Sequence, residues 1–320
     1  MLALAAVAAL ASPTSSLPNV TCGAASEYVG TRCLPAATGR HPAILLLGGS
    51  EGGDTMGRTA AQWASRGYVA SSVVYFGAPG LPQSLQNIPV ETIGKAIAST
   101  LRRDDVDPDR LAILGVSKGG ELALLTAALY PQIHAVVADV PSPFAWQGIP
   151  NAPNDAAVSS WTFGGKPLPY VPYTAAMGSA IGDAFGNRKP LDLRPAYDNA
   201  MQNSDAVSAA MFPLEKIAGP VLFLAADDDR VWDSVAQSDL GIRYLSEHKH
   251  PYADRSVHYP HAGHLFLFST AARPMLQAPF GGGIEILFGG TAVANVAARA
   301  AAWPTIVAFV DAAWQARGTK

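Results

Sequence analysis

Runs of mostly apolar residues alternate with segments of helical patterning along most of this chain. The apolar runs lie at residues 43–47, 68–74, 111–114, 134–139 and 221–226. The helical segments lie at residues 59–66, 88–103, 121–130, 234–246 and 292–316, and Pro304 is expected to kink or restart the last one. Apolar runs of this kind are typical of strands buried on both faces, and their alternation with helices predicts a parallel sheet. We therefore predict an α/β fold with a doubly wound, mostly parallel sheet.

The run at residues 111–114 leads into Gly115-Val116-Ser117-Lys118-Gly119, and a helical stretch rich in Ala and Leu follows. A buried strand that ends in G-x-S-x-G and turns into a helix is the pattern of a nucleophile elbow, in which a tight turn lifts the serine oxygen above the sheet. Only glycine fits beside so tight a turn. We predict that Ser117 is a catalytic nucleophile. The alternative is a glycine-rich turn that carries an ordinary serine.

A serine nucleophile needs an acid and then a histidine further along the chain. Three aspartates, residues 227–229, follow the buried run at 221–226, and they are expected at the same edge of the sheet as the elbow. His264 follows a short strand and a glycine, and we predict that it is the base. His261 is the alternative base, whereas His258, inside the strand, is expected to be structural.

Acyl transfer also needs two preorganised N–H groups that hold a developing oxyanion. The backbone N–H of Lys118, at the N-terminus of the elbow helix, is the first candidate donor. The second is expected in the G-G-S-E-G-G loop after residues 43–47, where Gly49 and Ser50 are the candidates. This loop lacks the G-x-x-x-x-G-K-[ST] pattern of a phosphate-binding loop. We predict no metal ion and no organic cofactor.

Two charged side chains near the elbow have open roles. The Lys118 side chain either assists a charged substrate or is solvated. The Glu121 side chain either pairs with Lys118 one turn away or reaches the segment above the elbow. We expect structural roles for both.

The alternation of strands and helices stops between residues 140 and 212, a segment that we call the insert. It is rich in Pro and Gly, shows little periodicity and carries several aromatic residues, which are Trp146, Trp161, Phe163, Tyr170 and Tyr173. A long irregular stretch inside a compact domain is usually functional. We predict that the insert is a cap over the active site whose aromatic residues line an apolar acyl pocket, and the alternative is purely structural packing. Residues 280–290, which are rich in glycine, are predicted to form a flexible loop.

Composition narrows the class of protein. The chain has 320 residues, about half of them apolar, and a formal net charge of −3. This is enough for one large core, and we expect residues 17–320 to form a single domain. The basic residues are scattered, so nucleic acid is not an expected partner. No stretch after the N-terminus is predicted to span a membrane.

The N-terminus and the cysteines bear on the cellular compartment of the protein. Residues 1–11 form an apolar run that is followed by small polar residues, the pattern of a signal peptide. We predict a signal peptide at residues 1–16 and export to the periplasm or the medium. The alternatives are an N-terminal helix or a mis-assigned start, and either would leave the protein in the cytoplasm. Cys22 and Cys33 lie in a stretch that is expected to form two strands, and an oxidising compartment would allow a disulfide between them.

Several of these motifs resemble a known family, the C-terminal catalytic domain of acyl-CoA thioesterases and bile acid-CoA:amino acid N-acyltransferases. The elbow through Glu121 is similar to the family's G-V-S-K-G-x-E, and residues 259–264 are similar to its Y-P-x-x-G-H, which again selects His264. Residues 228–232 are similar to its D-D-H-N-W, in which the second aspartate is the triad acid, although Arg230 replaces the histidine. The resemblance implies that Asp229 is the acid, with Asp228 in reserve, and that the fold is the α/β-hydrolase fold shared with dienelactone hydrolases. It extends from about residue 42 to the C-terminus.

The resemblance also implies a reaction. Family members that transfer the acyl group to an amine tend to carry cysteine at the nucleophile, so Ser117 favours the hydrolytic branch. We expect a serine hydrolase that acts on small-molecule acyl thioesters or carboxylic esters through an acyl-enzyme. The alternatives are a dienelactone-type lactone hydrolase, an acyl-CoA-dependent N-acyltransferase and a non-catalytic binding module on the same scaffold.

Overall fold

The structure is a computed structural model that describes residues 17–152 and 155–317; the predicted signal peptide at residues 1–16 lies outside them. Its strands are β1 (Val20–Ala24), β2 (Gly30–Pro35), β3 (His41–Leu47), β4 (Val69–Val73), β5 (Ile88–Pro89), β6 (Val106–Val116), β7 (Ala135–Asp139), β8 (Trp161–Phe163), β9 (Lys166–Pro167), β10 (Val221–Ala226), β11 (Arg255–Tyr259), β12 (Gln277–Gly281) and β13 (Ile284–Leu287). Its α-helices are α1 (Gly57–Ala64), α2 (Glu91–Leu101), α3 (Lys118–Leu129), α4 (Ala175–Asn187), α5 (Arg194–Met201), α6 (Ser204–Ala210), α7 (Ser234–Glu247) and α8 (Ala292–Arg317).

Eight of these strands form the central sheet, in the order β1-β2-β4-β3-β6-β7-β10-β11. The pairs β1–β2 and β2–β4 are antiparallel, and every later pair is parallel. The predicted mostly parallel α/β sheet is therefore confirmed. Because the carboxyl ends of parallel strands share one edge, the segments that follow β3, β6, β10 and β11 meet there. These are the glycine-rich loop, the elbow, the three aspartates and the loop that carries His264.

Helices cover both faces of the sheet. Side chains of β6 alternate between the two layers: Leu111 and Ile113 join the core under α2, α3 and α7, whereas Ala112 and Leu114 join the core under α1 and α8. This alternation follows from the two-residue period of a strand. A third cluster joins the insert to β12 and β13.

Helix α8 confirms the predicted terminal helix, but the predicted restart at Pro304 is wrong because the helix continues through it. Ala302, Ile306 and Val310 are fully buried in the core, and this packing supports the helix where proline removes a hydrogen bond. Contrary to our expectation, the segment Ala292–Gln315 is long and apolar enough to cross a membrane, by length and composition only. Core helices meet the same criterion, and the buried face of α8 packs against the sheet.

The insert is more regular than we predicted. It contains α4, α5 and α6 together with the short strands β8 and β9. Three glycines at four-residue spacing, Gly178, Gly182 and Gly186, hide the helical pattern of α4 in the sequence. The Thr174 side chain caps this helix by accepting the N–H of Ala176 at 3.3 Å.

Two other boundaries differ from the prediction. The flexible loop expected at residues 280–290 is instead largely an antiparallel hairpin of β12 and β13, which turns at residues 281–283 where all three glycines have positive φ. Its buried side chains, Phe280, Ile284 and Ile286, hold it against the insert. Residue 88 does not begin α2, because Ile88 and Pro89 pair with β8 before the helix starts.

The two cysteines lie opposite each other on β1 and β2. Cys22 and Cys33 are partners in the strand register, and the structure joins them as a disulfide. The two strands expected in this stretch are confirmed.

Candidate active site

The elbow has the strained geometry that its sequence predicts. Ser117 connects β6 directly to α3 with φ +56° and ψ −121°. A Cβ atom on Gly115 would lie 1.9 Å from the carbonyl oxygen of Gly119, and a Cβ on Gly119 would lie 2.2 Å from that of Gly48. Neither contact is sterically allowed, so both positions require glycine. The backbone strain is of the kind that persists where a fold over-determines a functional residue.

Ser117, His264 and Asp229 form one hydrogen-bonded chain. The Ser117 hydroxyl lies 2.8 Å from His264 Nε2, and His264 Nδ1 lies 2.8 Å from Asp229 Oδ2. Because a carboxylate only accepts, the imidazole proton belongs on Nδ1, and Nε2 is left to accept from the serine. The second oxygen of Asp229 accepts the N–H groups of Val231 and Trp232 at 2.9 and 3.2 Å. Such an arrangement can accept a proton from the serine hydroxyl.

The neighbouring acids and histidines lie in other contacts. Asp228 accepts the N–H of Gly290 at 3.0 Å, and Asp227 accepts the N–H of His261. His258 is exposed and pairs with Asp239 at 3.0 Å. Of the candidate acids and bases, the structure brings Asp229 and His264 to Ser117.

The glycine-rich loop holds one candidate oxyanion donor in an internal contact. The N–H of Gly49 donates to Glu51 Oε1 at 3.0 Å, and the same oxygen accepts from the hydroxyl of Thr55 at 2.6 Å. In this conformation the Gly49 N–H is already engaged. Gly49, Ser50 and Lys118 all border one cavity with Ser117, and the engagement of the Gly49 N–H leaves Ser50 as the stronger candidate for the second donor.

Tyr75 holds the same loop from its other side. Its hydroxyl lies 2.7 Å from the carbonyl oxygen of Gly48 and 2.9 Å from that of Gly49. Burial raises the pKa of Tyr75 well above its usual value, and the nearby Glu51 carboxylate adds to the effect. The phenol therefore remains a donor, and the backbone of the loop is fixed.

The Lys118 side chain points away from solvent, so the expectation of a solvated lysine is wrong. Its Nζ lies 2.6 Å from Glu121 and 2.8 Å from the hydroxyl of Ser160. The other oxygen of Glu121 accepts from the backbone N–H of Trp146 at 3.0 Å and from the indole N–H of Trp161 at 2.6 Å. Glu121 therefore pairs with Lys118 and also reaches the insert. Burial lowers the pKa of Lys118 and raises that of Glu121, while their mutual attraction opposes both changes.

Sequence reasoning missed Asp139. It ends β7 beside the elbow, and its backbone carbonyl accepts the N–H of Ser117 at 2.8 Å. Its side chain is fully buried, and neither carboxyl oxygen has a hydrogen-bond partner among residues 17–152 and 155–317. Burial, reinforced by the nearby Asp229, raises the pKa of Asp139 well above its usual value and favours the neutral acid. An acidic residue at the end of a buried strand next to the elbow strand was the available signal.

A cavity of about 560 Å³ opens above Ser117 and His264. Its walls come from the insert, the β12–β13 hairpin and the loops after β3 and β10. Most of its side chains are apolar, among them Ile149, Met177, Ile181, Phe268, Phe280 and Ile286. Its volume is in the range of small-molecule sites.

Aromatic rings connect the wall of this cavity to the imidazole. The ring of Tyr197 contacts Trp146 at 4.8 Å and Trp232 at 5.5 Å between centroids. Trp232 in turn packs edge-on against His264 at 5.3 Å. The hydroxyls of Tyr173 and Tyr197 lie 3.3 Å apart, and both residues line the cavity.

Residues 88–315 match the family described as BAAT / Acyl-CoA thioester hydrolase C terminal. The matched range includes the elbow, the three aspartates and His264. The chain belongs to this family. The resemblance predicted from the motifs is thereby confirmed.

Two curated relatives in this BAAT and thioester hydrolase family illustrate its range. The chain is 28% identical over 289 residues to Acyl-coenzyme A thioesterase 6 of Mus musculus, covering 87% of this chain and 61% of the relative. It is 28% identical over 291 residues to Bile acid-CoA:amino acid N-acyltransferase of Mus musculus, covering 89% and 63%. The chain thus spans about three fifths of the length of these relatives. One relative is named for hydrolysis and the other for transfer, so family membership does not choose between the two reactions.

Solved structures show the fold of this family member. Esterase B from Lactobacillus Rhamnosis has a TM-score of 0.55 at 13% identity, covering 98% of this chain and 92% of that one. A putative dienelactone hydrolase from Klebsiella pneumoniae has a TM-score of 0.53 at 15% identity, covering 91% and 98%. At such low identity the likeness concerns the fold alone, and it confirms the predicted α/β-hydrolase fold.

Proposed function

We propose that the protein is a serine hydrolase that cleaves small-molecule acyl thioesters or carboxylic esters through a Ser117–His264–Asp229 triad. The observation that carries the proposal is the 2.8 Å contact between the Ser117 hydroxyl and His264 Nε2, both of which border an apolar cavity. Membership of a family that includes a named acyl-CoA thioesterase supports it.

The first step is attack on the substrate carbonyl. His264 Nε2 takes the proton of the Ser117 hydroxyl while the Ser117 oxygen forms a bond to the substrate's carbonyl carbon. The carbonyl oxygen thereby becomes an oxyanion. The N–H groups of Lys118 and Ser50 stabilise this charge, and loss of one such donor costs roughly 3 kcal/mol of transition-state stabilisation. Asp229 holds the imidazole in the productive tautomer and stabilises its charged form.

The second step releases the acid. His264 gives its proton to the leaving thiol or alcohol, which departs and leaves the acyl group esterified to Ser117. Water then enters, His264 takes one of its protons, and the hydroxide equivalent attacks the acyl carbonyl. Collapse of the second tetrahedral intermediate returns the proton to Ser117 and frees the carboxylic acid.

We also propose that the insert is the cap of this site. Its helix α4 contributes Met177 and Ile181 to the cavity wall, and the segment before β8 contributes Ile149. Apolar walls of this kind suit the acyl part of a substrate. Lys118 and Glu121 anchor the insert to the elbow helix.

A panel of matched substrates tests the reaction. One acyl group is presented as a p-nitrophenyl ester, a simple alkyl thioester, a coenzyme A thioester and a lactone, with and without glycine as an acceptor amine. We expect hydrolysis of the esters and thioesters by the wild type and its loss in Ser117→Ala with an unchanged circular dichroism spectrum. Undiminished hydrolysis by Ser117→Ala would overturn the proposal. Exclusive lactone cleavage, or transfer to glycine in preference to water, would move the protein to one of the alternative classes.

Export remains part of the proposal. The Cys22–Cys33 disulfide supports it, because such bonds persist in oxidising compartments and are rare in the cytosol. Fractionation of cells that express the full chain, with mass spectrometry of the mature N-terminus, tests it. We expect the protein in the exported fraction and cleaved near residue 16; an intact N-terminus in the cytoplasmic fraction would contradict export.

A further inference from the structure

One pair of polar groups in the cavity has no role in the proposed triad. Tyr173 and Tyr197 both line the cavity, and their hydroxyls contact each other at 3.3 Å. The surrounding wall is largely apolar, with Met177, Ile181 and Leu193 nearby in the chain. A polar pair in such a wall is costly unless something uses its hydrogen-bonding capacity.

The two hydroxyls have more donors than their mutual bond can use. Each phenol carries one O–H, and a single contact between them engages one hydrogen. Among the described residues, neither hydroxyl has another hydrogen-bond partner. One O–H donor therefore remains for a molecule in the cavity.

Other polar groups of the same wall are already engaged. The Thr174 hydroxyl donates to Asn199 at 2.7 Å and caps α4. The side-chain N–H of Asn151 donates to the carbonyl oxygen of Gln83 at 3.2 Å. The tyrosine pair thus differs from Thr174, whose single O–H is used within the protein, in keeping a donor free.

The pair is also held rigidly and stays protonated. Trp146 stacks on Tyr173 at 6.4 Å, and the rings of Trp146 and Trp232 both pack against Tyr197. Burial raises the pKa of both phenols, so they remain donors at physiological pH.

We propose that the Tyr173–Tyr197 hydroxyl pair is a polar subsite that binds an acceptor oxygen of the substrate, such as a hydroxyl, carbonyl or ether oxygen, at a distance from the scissile bond. This inference rests on the proposed hydrolase function and adds a substrate class to it: oxygen-bearing acyl or alcohol groups rather than plain hydrocarbon chains. A site that can hydrogen-bond a substrate oxygen discriminates against the analogue that lacks it, because its own polar groups are then left unpaired.

An ether-oxygen scan tests the subsite. One arm uses p-nitrophenyl esters whose acyl chain has one methylene replaced by oxygen at successive positions. The other arm uses esters of one plain acid with alkyl alcohols and their oxygen-containing counterparts. The readout is the ratio of kcat/KM between each oxygen-bearing substrate and its hydrocarbon analogue, in the wild type and in Tyr173→Phe/Tyr197→Phe.

We expect this ratio to fall by about 10-fold in the double variant at one oxygen position, the effect of losing one hydrogen bond. Phenylalanine keeps the ring contacts, and the ratio to the hydrocarbon analogue cancels any change in turnover that both substrates share. The arm in which the change occurs identifies whether the oxygen belongs to the acyl group or to the leaving group. Tyr170→Phe is the matched control. The Tyr170 hydroxyl donates to the carbonyl oxygen of Ala157 at 3.0 Å, and Tyr170 does not line the cavity. Loss of this hydroxyl should leave every ratio unchanged.

An unchanged ratio at every position in both arms would overturn the subsite. A binding arm keeps the test independent of turnover. The oxygen-bearing esters of both arms and their hydrocarbon analogues are titrated into Ser117→Ala, with tryptophan fluorescence as the signal because Trp146 and Trp232 contact Tyr197. We expect the preference for oxygen in Ser117→Ala and its loss when both tyrosines are also replaced; equal affinities in the two proteins would overturn the subsite. Wild-type hydrolysis by Ser117→Ala would instead overturn the proposed function, and the ratios would still decide the subsite.

Discussion

Ser117 and Lys118 are adjacent in the chain, yet their side chains belong to two different hydrogen-bonded clusters. One cluster borders a cavity, and the other is enclosed by the protein. The Ser117 cluster faces a cavity and ends in a hydroxyl whose only described partner is an imidazole. The Lys118 cluster is closed: the lysine and Glu121 are almost completely buried, and each makes two or more polar contacts within the protein. In the proposed mechanism, the elbow thus directs the Ser117 side chain to the reaction and the Lys118 side chain to contacts with the insert. In this molecule, we interpret a polar group that lies beside the cavity and keeps hydrogen-bonding capacity as functional.

The largest expected effect is on the open cluster. His264→Ala should lower kcat for a p-nitrophenyl ester by about 10⁴-fold or more, because triad members act as a unit. His261→Ala is the matched control, since His261 lies three residues away and the structure places it outside the contact with Ser117. Steady-state kinetics on both folded variants is the measurement. Loss of activity in His261→Ala, with His264→Ala unaffected, would contradict the assignment of the base.

Substitutions in the Lys118 cluster should change the free energy of unfolding. Lys118→Met leaves Glu121 buried without its cation, and we expect the free energy of unfolding to fall by about 3–5 kcal/mol. Lys118→Met/Glu121→Gln should recover much of this loss, because no buried charge remains unpaired. Urea denaturation of the single and double variants measures the coupling.

The control is a second ion pair that has the same spacing in the chain but more exposed side chains. Asp107 and Arg110 are also three residues apart with a 2.6 Å contact, and their side chains are about a third exposed. Arg110→Met should change the free energy of unfolding by about 1 kcal/mol or less. If the two pairs lost equal stability, the contrast between the buried pair and a surface pair would fail.

The smallest expected effect concerns Asp139, which ends β7 between the strands that lead to Ser117 and to Asp229. Its raised pKa means that the folded protein keeps a proton that the unfolded chain releases, so this residue lowers stability as pH rises from about 4 towards the folded pKa. Asp139→Asn should remove this slope and leave the variant more stable than the wild type at neutral pH. Denaturation of both proteins at about pH 5 and about pH 8 tests the sign; parallel pH dependences would show that Asp139 is ionised in the fold.

Local pattern predicted the parts of the molecule that depend on neighbours in the chain. The strand, turn and helix around Ser117 follow from apolar residues and two obligatory glycines, and the parallel sheet follows from the alternation of elements. The hairpin at residues 277–287 escaped prediction because three glycines read as flexibility, whereas its stability comes from Phe280 and Ile286 packing on the insert.

The features that could not be predicted from the sequence depend on contacts between segments that are distant in the chain. Burial of Lys118 requires Ser160 and Trp161, which lie some forty residues away. The free donor of the tyrosine pair depends on α5 approaching the start of α4, and no local pattern marks Tyr197. Asp139 reads as the ordinary end of a strand until the register places it beside Val116.

Labelling of the intact protein by a fluorophosphonate probe tests the central claim most directly. The account predicts one covalent adduct per chain, located on the peptide that contains Ser117 by mass spectrometry, and its strong reduction in His264→Ala. A folded wild-type protein that stays unlabelled, or that is labelled equally when Ser117 is replaced by alanine, would contradict it.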